Sequence, residues 1–271
     1  MTTSKNTPII DAHAHIFPPN IAKKATDATG QFYDIKMSHI GSSEELLSSG
    51  SKINVSKYLV CSTATTPRQV SSINDFIAEQ CSKHLNFFGF GTLHPEMEDP
   101  EREIERIQSL GLKGIKLHPD IQRFQIDTVK AIKIYKILAD RGLPVLFHTG
   151  DIRYDFSSPL RLVSALEKVP NLTVIAAHFG GYSEWNFVKC YPKIKNLYFD
   201  TSSSLFLIKK EEALDIIDYF GKEQFFFGVD FPMWDHAEEL ERFMSLNLDQ
   251  KTTELILYKN FSRLFSLQDL L

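Results

Sequence analysis

Along most of this chain, short apolar runs alternate with stretches in which apolar residues recur every three or four positions. The first pattern is that of buried parallel strands, and the second that of amphipathic helices. Strands are expected at residues 9–15, 57–61, 87–91, 114–117, 144–148, 172–177, 197–201 and 225–229. Helices are expected at 20–28, 67–84, 100–110, 127–141, 157–168, 183–191 and 209–220, with two or three more in 237–271. Pro100 opens one helix with an acidic first turn and sets Ile104, Ile107 and Leu110 on one stripe. Gly142 stops the helix that carries Ile132, Tyr135 and Leu138.

Eight strand–helix repeats in 271 residues predict an α/β protein, a (β/α)8 TIM barrel. The expectation is one domain, 1–271, with C-terminal helices and a long loop after strand 1. An open doubly wound sheet is the alternative, but no Gly-x-Gly-x-x-Gly or P-loop pattern supports a nucleotide site in it. The connection over 17–54 is longer than a plain loop. It carries Phe32, Tyr33, Ile35, Met37 and Ile40, and is expected either to cover substrate or to pack as a surface excursion.

Composition narrows the function. The net charge is -4 with no basic block, which argues against a nucleic-acid partner. No apolar run approaches the roughly 18–20 residues that span a membrane. Residues 1–8 are polar and lack a signal-peptide core. Cys61, Cys81 and Cys190 are few and far apart, which fits a reducing cytoplasm.

The sequence has nine histidines, and His13, His15, His94, His118, His148 and His178 fall at predicted C-terminal strand ends. Barrel active sites lie at that end. Asp230 ends the eighth strand after Phe225-Phe226-Phe227-Gly228-Val229. His13 and His15, two apart on a strand, face one way together with Asp11. Each residue also has a plain reading. His148 and His178 could be core histidines, His94 and His118 strand ends before proline, and Asp230 a cap. Lys116 shares the parity of His118 and could be an ion-pair partner. Arg153 and Tyr154 are surface groups or an anion clamp. His39, His84 and His236 lie off the rim and are expected to face solvent. As a set, however, imidazoles and a carboxylate suit a first-row metal with an open position. His13, His15, His148 and Asp230 supply that set.

The ordered motifs His13-Ala14-His15, Gly114-Ile115-Lys116-Leu117-His118-Pro119, Phe147-His148-Thr149-Gly150, Ala177-His178-Phe179-Gly180-Gly181 and Gly228-Val229-Asp230-Phe231-Pro232 resemble the amidohydrolase-related family of the amidohydrolase superfamily. This branch includes metal-dependent decarboxylases similar to aminocarboxymuconate-semialdehyde decarboxylase. The likeness runs from residue 9 to Asn260-Phe261-Ser262-Arg263-Leu264-Phe265. It implies metal ligands at His13, His15, His148 and Asp230, with His178 beside the bound water or substrate. Some superfamily members hold two metals bridged by a carboxylated lysine, for which Lys116 is the candidate. Its Lys-Leu-His-Pro context looks more like the one-metal branch.

The expected cofactor is one divalent ion, Zn2+ first, with Mn2+ or Fe2+ as alternatives. The ion would lower the pKa of bound water toward about 7. Asp230 would take a proton, and His178 would orient the water or stabilise an oxyanion. Hydrolysis of a small carboxylate-bearing substrate is placed first and non-oxidative decarboxylation second. An isomerase or aldolase, or a non-catalytic barrel, comes third. His118, Lys116, Arg153 and Tyr154 are the candidates to bind substrate. The expected partner is a small molecule, in a chain that could form a homodimer.

Overall fold

The computed structural model describes residues 7–267. In chain order the strands are β1 (Ile9–His15), β2 (Val55–Cys61), β3 (Phe87–Gly89), β4 (Gly91–Thr92), β5 (Ile115–Leu117), β6 (Val145–Phe147), β7 (Val174–Ala176), β8 (Leu197–Asp200) and β9 (Phe225–Phe226). The helices are α1 (Ala22–Tyr33), α2 (Ser43–Ser51), α3 (Val70–Lys83), α4 (Pro100–Ser109), α5 (Pro119–Gln122), α6 (Val129–Asp140), α7 (Pro159–Lys168), α8 (Lys210–Phe220), α9 (His236–Met244), α10 (Gln250–Glu254) and α11 (Asn260–Leu264). This is the α/β class of the (β/α)8 barrel that the alternation predicts. The chain divides into two compact units, Met1–Val60 with Asp200–Leu271, and Cys61–Phe199.

In the second unit, β4 to β8 lie in chain order. Each pair is parallel and in simple register, with Leu117 opposite Phe147, Phe147 opposite Ala176 and Ala176 opposite Phe199. That register makes β5 and β6 end level, so His118 and His148 leave the sheet side by side. Parallel neighbours need crossover helices that cover the sheet. The helix α4 does this with Ile104 and Ile107, both fully buried. Cutting either to Ala would cost about 2–5 kcal/mol. Gln122 ties strand ends together. Its side-chain amide donates to Ala64 O and Leu93 O, both at 2.8 Å, and its Oε1 accepts the His118 N–H at 2.8 Å.

In the first unit, β1 runs beside the segment after β9. Ala12 N–H donates to Phe227 O (2.9 Å), Asp230 N–H to His13 O (2.7 Å) and His15 N–H to Phe231 O (2.7 Å). The bridge between Ala14 and Phe231 is parallel. Thr201 N–H donates to Phe226 O at 3.0 Å on the far side of the same segment. The first strand therefore neighbours the last. Within β1, Asp11 and His13 are buried along with the apolar residues. A buried polar side chain needs partners, and those partners build the site.

Several elements differ from the sequence expectation, three of them in ways that bear on the fold. The strand over 87–91 is broken at Phe90 into β3 and β4. The helix α1 runs through Gly30 and stops at left-handed Asp34, φ 54°, whose N–H returns to Gly30 O. The connection over 17–54 also contains α2. Ser42 caps it by accepting Glu45 N–H at 3.2 Å, and Glu44 and Glu45 favour its positive end.

Candidate metal centre

Three donor atoms converge in the first unit. Nε2 of His13 and Nε2 of His15 are 3.2 Å apart. Oδ1 of Asp230 lies 3.6 Å from the first and 3.5 Å from the second. A tetrahedral ion with bonds of about 2.0–2.1 Å has ligand–ligand edges of roughly 3.3–3.4 Å. The donors match that spacing, and their chemistry, two imidazoles and one carboxylate, suits a first-row divalent ion.

Local structure sets each donor. The alternation of β1 puts His13 and His15 on one face. Nδ1 of His13 lies 2.9 Å from Oδ2 of Asp200, at the end of β8. A carboxylate only accepts, so Nδ1 carries the hydrogen and Nε2 keeps its lone pair. Ser202 donates from Oγ to the other oxygen of Asp200 (2.6 Å), and its N–H reaches the same oxygen at 3.0 Å. Asp230 has φ 62°, a left-handed conformation uncommon outside glycine. Its Oδ2 accepts from Ser203 Oγ at 2.5 Å.

Below these ligands, Asp11 holds two chain segments. Its Oδ1 accepts His13 N–H and Val229 N–H, each at 3.0 Å. Its Oδ2 faces Nε2 of His236 at 3.1 Å, and Nδ1 of that ring lies 2.9 Å from Ser49 Oγ in α2. Burial pushes the Asp11 carboxyl up, against the opposing pull of His236. His236 was expected to face solvent but is fully buried. It sits at the first turn of α9, where Asp235 caps the helix and turns the ring inward to Asp11.

The second unit gathers other imidazoles. Nδ1 of His148 lies 3.0 Å from Nε2 of His178. His118 stacks on His148 with centroids 3.9 Å apart and planes at 7°. Oδ2 of Asp120 is 3.6 Å from Nε2 of His148 and accepts from Ser157 Oγ. Burial, offset by Ser157 and reinforced by Asp151, pushes the Asp120 carboxyl up to about 7. His178 has φ 62° and Phe179 φ 53°. Consecutive left-handed residues of this kind cost of order 1–3 kcal/mol each and gather at functional sites. Trp185 Nε1–H pins the turn by donating to His178 O at 2.9 Å. Gly150 is required opposite it, because a Cβ there would meet Gly181 O at 2.2 Å.

His118 accepts Ile121 N–H on Nδ1 (3.3 Å), and His94 accepts Glu96 N–H on Nδ1 (3.2 Å). In their neutral forms both then carry the hydrogen on Nε2, as donors for an anionic ligand. Lys116 is fully buried on β5. Arg153 grips Asp151 with two bonds, 2.9 and 2.7 Å, and stacks over the Tyr154 ring at 5.3 Å. The guanidinium is thus already committed to a carboxylate within its own loop.

Sequence reasoning missed Asp200, Asp120, Ser203 and His236. Asp200 closes an apolar strand, Leu197-Tyr198-Phe199-Asp200, just as Asp230 follows one, and that parallel was the available signal. Nothing local marks the others.

The family model described as Amidohydrolase matches residues 10–267. No curated protein matches the chain. Among solved structures, it is similar to a dihydroxybenzoic acid decarboxylase from Polaromonas sp. JS666 with bound manganese and 2-nitroresorcinol. That match has 16% identity and TM-score 0.75, over 97% of this chain and 98% of the other. The 5-carboxyvanillate decarboxylase from Novosphingobium aromaticivorans, complexed with manganese, gives 16% identity and TM-score 0.76, over 97% of each chain. A probable 2-pyrone-4,6-dicarboxylic acid hydrolase from Acinetobacter baumannii gives 16% identity and TM-score 0.71, over 95% of this chain and 99% of the other. At these identities the likeness is one of fold.

Proposed function

Because this chain belongs to the amidohydrolase family, we propose that it is a metal-dependent enzyme that removes carbon dioxide from a small carboxylic acid. The observation that carries this reading is the convergence of His13 Nε2, His15 Nε2 and Asp230 Oδ1 within 3.2–3.6 Å. The decarboxylase names of the similar structures supply the reaction class. In this reading His148 is the fourth ligand, on the family resemblance, and the ion is Zn2+ or Mn2+. When bound, such an ion acts as a Lewis acid on substrate oxygens and makes water more acidic.

The protein's own groups do the rest. Asp200 keeps the His13 lone pair on Nε2. His118 and His94 offer N–H groups to a carboxylate, with Lys116, Arg153 and Tyr154 as further binding candidates. The carbon–carbon bond breaks, its electron pair stays on the substrate carbon, and carbon dioxide leaves. His178 or Asp230 supplies the proton that this carbon takes up. The second reading is hydrolysis of a lactone, ester or amide, with Asp230 taking a proton from water. The 2-pyrone-4,6-dicarboxylic acid hydrolase among the similar structures favours it.

Among the described residues no helix is long and apolar enough to cross a membrane. We place the enzyme in the cytoplasm, where its three thiols stay reduced, and take a homodimer as the assembly to test. The experiment is a panel of hydroxylated aromatic acids and lactones, given to protein loaded with Mn2+ or Zn2+. Carbon dioxide release from an acid is the expected result. Ring opening without carbon dioxide establishes the hydrolase instead, and protein that binds no metal ends both readings.

A further inference from the structure

Two side chains beside Asp230 have no part in the chemistry above. Ser203 is buried, with φ 45°. A non-glycine residue held in that region signals a conformation imposed by its surroundings. Its hydroxyl lies 2.5 Å from Oδ2 of Asp230, 2.9 Å from Nε1 of Trp234 and 3.4 Å from Sδ of Met233. An indole N–H can only donate. Ser203 Oγ therefore accepts from Trp234, and its own single hydrogen must go elsewhere. The carboxylate oxygen is nearer than the thioether and a far stronger acceptor. The direction of the chain is fixed: Trp234 donates to Ser203, and Ser203 donates to Asp230.

The indole is itself held. The Phe206 ring sits 4.6 Å from it, centroid to centroid, and the Arg242 guanidinium lies 4.8 Å over its face. Arg242 is anchored in turn by Glu239 and Glu238. The two oxygens of Asp230 are thus divided between two neighbourhoods. Oδ2 belongs to the hydroxyl, while Oδ1 faces Nε2 of both His13 and His15.

We propose that Ser203 and Trp234 are positioning residues that hold Asp230 to the ion by one oxygen only. The proposal rests on the metal reading above. With Oδ2 engaged, the carboxylate cannot turn both oxygens inward, and a coordination position stays open for water or substrate. Without the hydroxyl, the carboxylate is free to chelate through both oxygens and close that position.

The test uses the full chain with Co2+ as probe, in four variants: Ser203→Ala, Trp234→Phe, the double variant and His13→Ala. Affinity is read by chelator competition, and coordination by the visible absorption of the Co2+ form. Ser203→Ala should weaken Co2+ binding roughly 10–100-fold and reduce the band intensity, as a second carboxylate oxygen raises the coordination number. Trp234→Phe keeps the ring and loses the N–H, so it should move both readouts the same way by less. Because the two act in series, the double variant should match Ser203→Ala alone. Unchanged affinity and spectrum in Ser203→Ala overturn the proposal. Should that variant fail to fold, an unchanged spectrum in Trp234→Phe overturns it equally. Loss of Co2+ in His13→Ala, together with unchanged affinity and spectrum in Ser203→Ala, removes only this proposal. Full Co2+ binding in His13→Ala removes the metal centre itself.

Discussion

Nδ1 of His13 and Oδ2 of Asp200 stand 2.9 Å apart, and neither side chain reaches solvent. The pair decides which ring nitrogen faces His15 and Asp230. Asp200→Asn can turn its amide NH2 toward Nδ1, which would move the ring hydrogen to Nε2, where a metal needs a lone pair. Metal affinity should fall roughly 10–100-fold, read by competition with a chromogenic chelator. Wild-type affinity in Asp200→Asn would mean that the carboxylate does not set the donor.

His236 shields Asp11 rather than meeting solvent. In His236→Ala, Asp11 keeps its two amide bonds but faces a void with its other oxygen. Breaking a buried pair in this way costs about 3–5 kcal/mol. Urea unfolding should show a loss in that range, whereas a change below about 0.5 kcal/mol would fit an exposed residue instead.

His178 is the proton-handling candidate of the proposed reaction. His178→Asn should retain the bound metal and lower kcat by roughly 10²–10⁴-fold, the usual contribution of a positioned acid or base. Metal content and steady-state rates on the same preparation separate that outcome from loss of the ion.

Acid stability in the second unit should depend on Glu103. Burial pushes this carboxyl up, but bonds from Arg106 and Asn74 outweigh it, and the net shift is below the ordinary 4.5. The unfolded chain therefore binds this proton more readily than the folded one. The stabilisation is fully present above pH 4.5 and is lost as pH falls through the lower folded value. Glu103→Gln should flatten the decline of melting temperature in that window, and cost about 1.5–3 kcal/mol at neutral pH through its weaker bonds. An unaltered acid slope would contradict the assignment.

Much of the fold was legible because the strands are short apolar runs with glycine or proline at their ends, and periodicity reports these directly. Both histidines of β1 and Asp230 were legible for a related reason, being polar groups set at the ends of apolar runs. What escaped was interaction at a distance. No local signal couples Asp11 to His236 across 225 positions, or His13 to Asp200 across 187. His236 was expected to face solvent because it lies off the rim of predicted strand ends, and nothing near it in sequence points to Asp11. The helix α2 was missed although Ser42 and Glu45 have capping spacing, because Ser48, Ser49 and Gly50 read as loop punctuation.

One carboxylate oxygen on Asp11 takes both the His13 and the Val229 amides. Homologues should accordingly tolerate inserted or deleted residues in the loops of the 200-odd positions between, but none from 11 to 13 or between 229 and 230. A single-codon deletion there would slide one donor past its mate and invert the facing of the side chains that follow on the same strand. The gene should therefore show frozen length at these two short stretches, however freely its loops drift.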